Sequence, residues 1–359
     1  MYQYLSFLIF AAAITKKVLK LTMRKLILLF TFSLLTIAHL FSQRLTENFE
    51  ITLPQEKVQH ALYKTIELID SRYDTTFMGT VQLGAFNKKA KVIPEIPFST
   101  QLQNVLNSLA GNDSKEGKLL FHLRQFNFAE LTGSMSEKGY CYLRADLYSE
   151  SDNGYHKISS IDTVIFIKAM DVTRALFRNA SKLITNFIAG NLVQQPSTSD
   201  YYTFQQVVKM DSIEKRKIKV YNTSEYTDGL YLNWQSFMNQ VPDQQIMVEK
   251  ENNKVVSMHI LNKKGKKVSL QTKDAYAIVV EGKPFIATDF GFYLLNKIND
   301  DFKFTGRAHS NARAGDVIAA SVFFGIMGGV IASDASAVFE MKIDHINGGL
   351  IRLRETYGN

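Results

Sequence analysis

Gly139-Tyr140-Cys141-Tyr142-Leu143-Arg144-Ala145-Asp146-Leu147-Tyr148 is the stretch whose reading decides the fold. Tyr140, Tyr142, Arg144 and Asp146 alternate with Cys141, Leu143, Ala145 and Leu147. Successive side chains of a strand point to opposite faces, so this period of two predicts a strand with one apolar face. Upstream, Lys118–Ala129 reads as a second strand, rich in Leu and Phe. Downstream, Asp152-Asn153-Gly154 makes a turn into a third strand around Thr163–Lys168. Helical spacing brackets the three. Leu102, Val105, Leu106 and Leu109 predict a helix over Ser99–Leu109, stopped by Gly111-Asn112. Asp171 is expected to cap a second helix, with Val172, Leu176, Ala180, Leu183, Phe187 and Ile188 on one side. Helix, three strands, helix implies an α+β layer, an antiparallel sheet with helices on one face. Val58–Asp70 fits either a helix or a strand.

Gln194-Gln195-Pro196-Ser197-Thr198-Ser199-Asp200 reads as a linker, dividing an α+β domain over 45–193 from a second domain over 201–359. The second domain is dense in turns. Lys254–Leu261 and Lys267–Gln271 flank Asn262-Lys263-Lys264-Gly265-Lys266; Ala275–Glu281 and Phe285–Ala287 flank Gly282-Lys283-Pro284. Ala337–His345 and Leu350–Leu353 flank Ile346-Asn347-Gly348-Gly349, whose Asn-Gly pair suits positive φ. A meander or small barrel of about seven strands is expected, with a short helix carrying Trp234.

Compartment is signalled at the other end of the chain. Met23-Arg24-Lys25, the apolar run Leu26–Ala38 and a tail ending in Ser42 have the anatomy of a secretory signal peptide. The run is short for a bilayer core of about 30 Å. Translation is read as starting at Met23, with residues 1–42 removed by cleavage after Ser42. The alternative is one long hydrophobic leader that includes the earlier run Tyr4–Ile14. Residues 1–42 carry Lys16, Lys17, Lys20, Arg24 and Lys25 and no acid, so the formal charge of +8 falls to +3 without them. A nearly neutral body has no general field for polyanions, and nucleic acid is excluded as a partner. The single cysteine, Cys141, has no intramolecular partner and sits among Leu143, Ala145 and Leu147 as a small buried residue.

The run Ile66-Glu67-Leu68-Ile69-Asp70-Ser71-Arg72, then Gly79 and the Leu102–Leu109 helix, resembles YajG-like envelope lipoproteins of Gram-negative bacteria over roughly residues 60–190. The resemblance implies a strand ending in Asp-x-Arg before a short sheet and a helix, and an envelope location. The chain departs from that family in lacking a lipobox cysteine and in having a second domain. The signal-peptide ending, and Gly229-Leu230-Tyr231 through Pro242, resemble exported proteins of Bacteroidota.

Val317–Ser333 holds 17 residues without charge, with Ser321, Gly325, Gly329 and Ser333 every fourth. On a helix these small residues share one groove, and the segment resembles a glycine zipper. It is read as an inserted Gly/Ala helix, either buried within the domain or used for membrane or self-association.

Signatures of chemistry are missing. The seven histidines show no metal-ligand spacing. Gly111–Lys118 has five residues where a phosphate loop has four, and Leu119 where Ser or Thr binds Mg²⁺. No catalytic, metal or cofactor-binding residue is assigned and no cofactor is expected. Tyr140, Tyr142 and Tyr148 are the candidate ligand face, since tyrosines aligned on a strand can stack a ligand or sugar ring; their ordinary role is cross-strand pairing on a half-exposed sheet. The sequence thus predicts a non-enzymatic exported protein of the periplasm or the periplasmic face of the outer membrane, attached to a membrane or an envelope partner. A soluble periplasmic module binding a small ligand or glycan is the alternative.

Overall fold

The alternation of 139–148 becomes β6 (Glu137–Ser151), the strand around which the chain is organised. In a computed structural model, the described residues are 45–84, 87–132, 137–196, 200–251, 254–262, 264–307 and 338–356. Residues 1–42, residues 133–136 and the apolar segment 317–333 with Ser321, Gly325, Gly329 and Ser333 lie outside them. Among the described residues no helix is long and apolar enough to cross a membrane.

Eleven successive residues of β6, Gly139–Ser149, are buried. β6 pairs antiparallel with β5 (Gly117–Thr132) and with β7 (Gly154–Ala169). On the far side of β5 lie β2 (Tyr63–Asp70) and β3 (Gly79–Leu83), both parallel to it and both on the same edge. β5 holds two partners in succession because it is 16 residues long. β4 (Lys88–Pro94) pairs antiparallel with β3, and β1 (Thr46–Phe49) parallel with β4. The α+β class holds, but the sheet is mixed and seven-stranded, not the purely antiparallel one expected. Val58–Asp70 resolves as strand over its second half.

Two helices cover one face. α1 (Phe98–Leu109) buries Leu102, Val105, Leu106 and Leu109, and α2 (Thr173–Asn191) buries Leu176, Ala180, Ile184 and Ile188. Both pack on Cys141, Leu143, Ala145 and Leu147 together with Leu119, Phe121, Leu123, Phe126 and Phe128. Phe49, Phe126, Phe128 and Phe177 interlock with centroids 4.8–5.5 Å apart. Asp171 does not cap α2, whose Ncap is Val172 and has no side-chain bond. Strand-borne glutamates serve that end instead. Glu130 accepts from the Thr173 hydroxyl at 2.7 Å, and Glu137 from Val172 N at 3.3 Å.

Among the described residues the second half forms three sheets and no closed barrel, with more strands than the seven expected. One sheet contains β8 (Gly229–Tyr231), β12 (Ala277–Val280), β13 (Lys283–Thr288) and β14 (Gly291–Leu294). Another contains β9 (Met247–Glu251), β10 (Lys254–Leu261) and β11 (Lys267–Ser269). The last contains β15 (Asn296–Ile298), β16 (Asp301–Gly306), β17 (Val338–Ile343) and β18 (Leu350–Thr356). The expected hairpins are present. Gly348 has φ +76°, and a Cβ there would lie 2.4 Å from Trp234 Cβ. Trp234 opens the short helix α6 (Trp234–Met238). The chain enters this half through α3 (Phe204–Val208), α4 (Met210–Lys215) and α5 (Lys219–Asn222). Thr46–Asn359 packs as one compact unit.

Gly79 tests the join between β3 and β5. It has φ +86°, and a Cβ would sit 2.1 Å from the Phe128 carbonyl oxygen. Gly79→Ala is expected to cost more than about 2 kcal/mol in urea unfolding, through strain plus the displaced strand. A change within about 0.5 kcal/mol would show that the β3–β5 contact does not matter to stability.

Candidate functional site

On β5 the apolar residues change parity. Leu119, Phe121 and Leu123 face the helices, and so do Phe126 and Phe128. The change is made by a bulge: Leu123 pairs with Ala145 and Gln125 with Arg144, which leaves Arg124 as the extra residue. Bulges re-aim side chains. Here the bulge puts Arg124 on the sheet face away from the helices, beside Arg144 and Asp146 of β6. Both arginines are about 95% buried, at 6% and 5% exposure.

α4 and the turn after β17 supply the counter-charges. Arg124 grips Glu214 with two parallel bonds, Nη1–Oε1 2.9 Å and Nη2–Oε2 2.5 Å, and donates to Asp211 Oδ1 at 2.6 Å. Asp211 and Glu214 share one face of α4 through their i, i+3 spacing. His345 Nε2 lies 2.8 Å from Glu214 Oε2. Arg144 Nη1 lies 2.8 Å from Asp344 Oδ2, and its Nη2 lies 3.0 Å from Asp162 Oδ2. Asp146 takes Lys157 and the Ser160 hydroxyl, each at 2.6 Å, with Arg124 at 3.4 Å. Lys215 and Lys342 share Asp301 at 2.6 and 3.4 Å. Six carboxylates thus meet five permanent cations and His345.

The charges hold one another. Burial alone would raise the Glu214 carboxyl, but hydrogen bonds from His345 and Arg124 and the charge of Arg124 bring it down to about 2. Asp211, despite burial, is held well below the carboxylate range by the charges of Arg124 and His345 and by the Arg124 hydrogen bond. His122 beside them is pushed down to about 4, first by burial and then by the Arg124 charge. Its Nε2 meets the Ser71 hydroxyl at 2.9 Å.

A cavity of about 120 Å³ opens among Arg124, Arg144, Asp211, Lys342, Asp344 and His345, with Ser71 and Tyr73 at its wall. At about 30 Å³ per water it has room for about four waters. Ligand atoms of Asp211, Glu214 and His345 converge within 4.8 Å of one another, a spacing suited to a cation. Both carboxylates already bind the Arg124 guanidinium, which does not deprotonate, and His345 is turned onto Glu214. The trio therefore fits an arginine better than a metal ion.

Of the residues proposed from the sequence, Tyr140, Tyr142 and Tyr148 are 3%, 2% and 0% exposed. Tyr140 packs on Phe166 with centroids 4.9 Å apart, and Arg144 lies over the Tyr142 ring. Tyr148 is enclosed by Leu120, Val207 and Met210. As folded, the row is closed to a ligand: Val207 of α3 and Met210 of α4 cover Tyr148, Asp344 after β17 lies by Tyr142, and Tyr140 is buried beside Phe166, on a face that was expected to be half-exposed. Sequence reasoning missed Arg124, Asp211, Glu214, Asp344 and His345. The parity change between Leu123 and Phe126 was the signal that marks the bulge, and so Arg124.

Replacing Arg124 leaves its acids facing a void while part-exposed Asp211 and Glu214 turn to solvent. Arg124→Met is expected to cost about 2–3 kcal/mol in chemical denaturation, somewhat less than for a fully buried pair. A neutral or stabilising result would mean the network contributes nothing to stability. Two buried groups give opposite pH slopes. Unfolding lets His122 take up a proton below its ordinary 6.5, so its contribution to stability is expected to be lost as pH drops from 6.5 toward 4. Glu130 is pushed up to about 7 by burial, which outweighs its bonds from Thr173 and Gln82 N, so its contribution is lost as pH rises from 4.5 to 7. Urea unfolding of His122→Gln should decline steadily across pH 4.5–7, and that of Glu130→Gln should climb. Identical profiles would overturn both assignments.

No family model matches the chain, and no curated protein does. Among solved structures it is similar to the crystal structure of protein XCC0632 from Xanthomonas campestris, family model DUF330. The two are 13% identical over 41% of this chain and 95% of that one, with a TM-score of 0.29. A score of that size carries no argument about fold or function.

Proposed function

We propose that the chain is a non-enzymatic exported protein of the cell envelope, held at a membrane or an envelope partner by residues 317–333. The observation that carries this reading is the leader, Met23-Arg24-Lys25 followed by Leu26–Ala38 and Ser42. The YajG-like resemblance of residues 60–190 points to the same compartment.

Fractionation tests the reading. The product should be found with the outer membrane, with Gln43 as its N-terminal residue. Deleting residues 315–334 should release it to the soluble fraction. Recovery from cytosolic extract with the leader uncut would overturn the export assignment, and retention of the deletion variant in the membrane fraction would overturn the anchor.

A second reading, a module binding a small polar ligand, is favoured by the cavity of about 120 Å³ between Arg124, Arg144 and Lys342. A small molecule that raises the melting temperature of the wild type but not of Lys342→Ala would favour it.

A further inference from the structure

β7 closes one side of the seven-stranded sheet. One edge is paired with β6 along its whole length. Among the described residues the other edge carries only the bridge between Tyr155 and Tyr202, at the strand's start. From Lys157 to Ala169 that edge has no described partner. Proteins blunt such edges with proline, inward-pointing charge or short length. β7 contains no proline and is 16 residues long; over Lys157–Ala169 its charges are Lys157, Asp162 and Lys168, and Thr163–Ile167 between them carries none. Phe166 within that run is 37% exposed.

The sequence of this edge is complementary to itself. Consider two copies running antiparallel about a two-fold axis through Ile165, perpendicular to the sheet. Ile165 then faces Ile165, Val164 faces Phe166, Thr163 faces Ile167, and Asp162 faces Lys168, the last three pairs each occurring twice. Aromatic–β-branched pairs and opposite charges directly across a ladder are the favourable kinds. Neighbouring registers lose this match. Centring on Val164 sets Asp162 against Phe166, and centring on Phe166 sets it against Met170. Within one copy Lys168 faces Lys138 of β6, a like-charge pair that an acid on its other side relieves. The same axis keeps the Ile161, Ile165 and Ile167 face of both copies on the side of the helices.

We propose that β7 is a homodimer interface, pairing edge to edge with the β7 of a second copy in the register centred on Ile165. The interface is independent of residues 317–333.

Sedimentation velocity on the chain as isolated from cells tests it, together with thiol cross-linking. The chain should sediment as a dimer, and deleting residues 315–334 should leave the dimer intact. Lys168→Glu, at an exposed position, sets like charges opposite each other twice and should weaken association by at least about tenfold. Ile165→Cys should link covalently to its counterpart under mild oxidation, because directly opposed Cβ atoms lie about 5 Å apart. Thr163→Cys should not link, being four residues out of step with itself. Cys141 is fully buried and gives no background. A monomer would overturn the proposal. So would a dimer that is lost with residues 315–334, or one that Lys168→Glu leaves unchanged.

Discussion

The structure depends on one constraint: between Gly139 and Ser149, β6 has no solvent face. There Cys141, Leu143, Ala145 and Leu147 pack against α1 and α2, and Tyr140, Tyr142, Arg144, Asp146 and Tyr148 are also buried. Burying Arg144 and Asp146 costs several kcal/mol per ion unless each finds a counter-charge. The counter-charges of Arg124 and Arg144 include Asp211, Glu214 and Asp344, 87 to 200 residues further along the chain. A buried ion pair adds little net stability over apolar packing, but a mispaired one is heavily penalised. The network therefore acts as a selector. Only an arrangement that brings α4 and the turn after β17 onto this face satisfies it, which ties the C-terminal residues to a sheet completed before residue 170.

The elements legible in the sequence were those fixed by local periodicity. β6, the hairpins at Asn262–Lys266 and Ile346–Gly349, α1 and the body of α2 follow from alternation, turn chemistry and helical spacing within a few residues. What escaped was fixed by distant parts of the chain. β1, β3 and β4 are short, and β1 is held in part by Gln101 of α1, which accepts from Ile51 N and donates to Phe49 O. The exposed-tyrosine reading failed because alternation shows that a strand has two faces, not whether the second is covered. The barrel failed because hairpins specify neighbours, whereas closure depends on shear and tilt, which no turn encodes.

α2 shows the same division. Asp171 precedes it where a cap is expected, yet the helix start is served from the sheet by Glu130 and Glu137. Tertiary placement wins because both strand ends already lie over the first turn. Gly139 lets β6 approach there, since a Cβ would lie 3.0 Å from Val172 Cγ2. Burying Glu130 for this purpose raises it to about 7. The fold thus carries a carboxyl that stabilises most when protonated and an imidazole, His122, that stabilises most when neutral. Between pH 4.5 and 6.5 their slopes oppose each other, so neither alone sets the optimum.

Arg124 and Arg144 are paired with Asp211, Glu214, Asp162 and Asp344, so much of the buried charge is taken up within the fold. The body beyond Ser42 carries a formal charge of only +3, so long-range steering of polyanions adds nothing. Among the described residues, further pairing capacity lies in the backbone donors and acceptors along the outer edge of β7, whose side chains match their own sequence in reverse. Backbone pairing needs no net charge and no deep pocket, only a long edge with one favoured register. Asp162 connects the two regions, since it faces Arg144 inward across the ladder and stands at the outer edge. The charge that completes the buried network is thus also the one that fixes the register of the exposed edge.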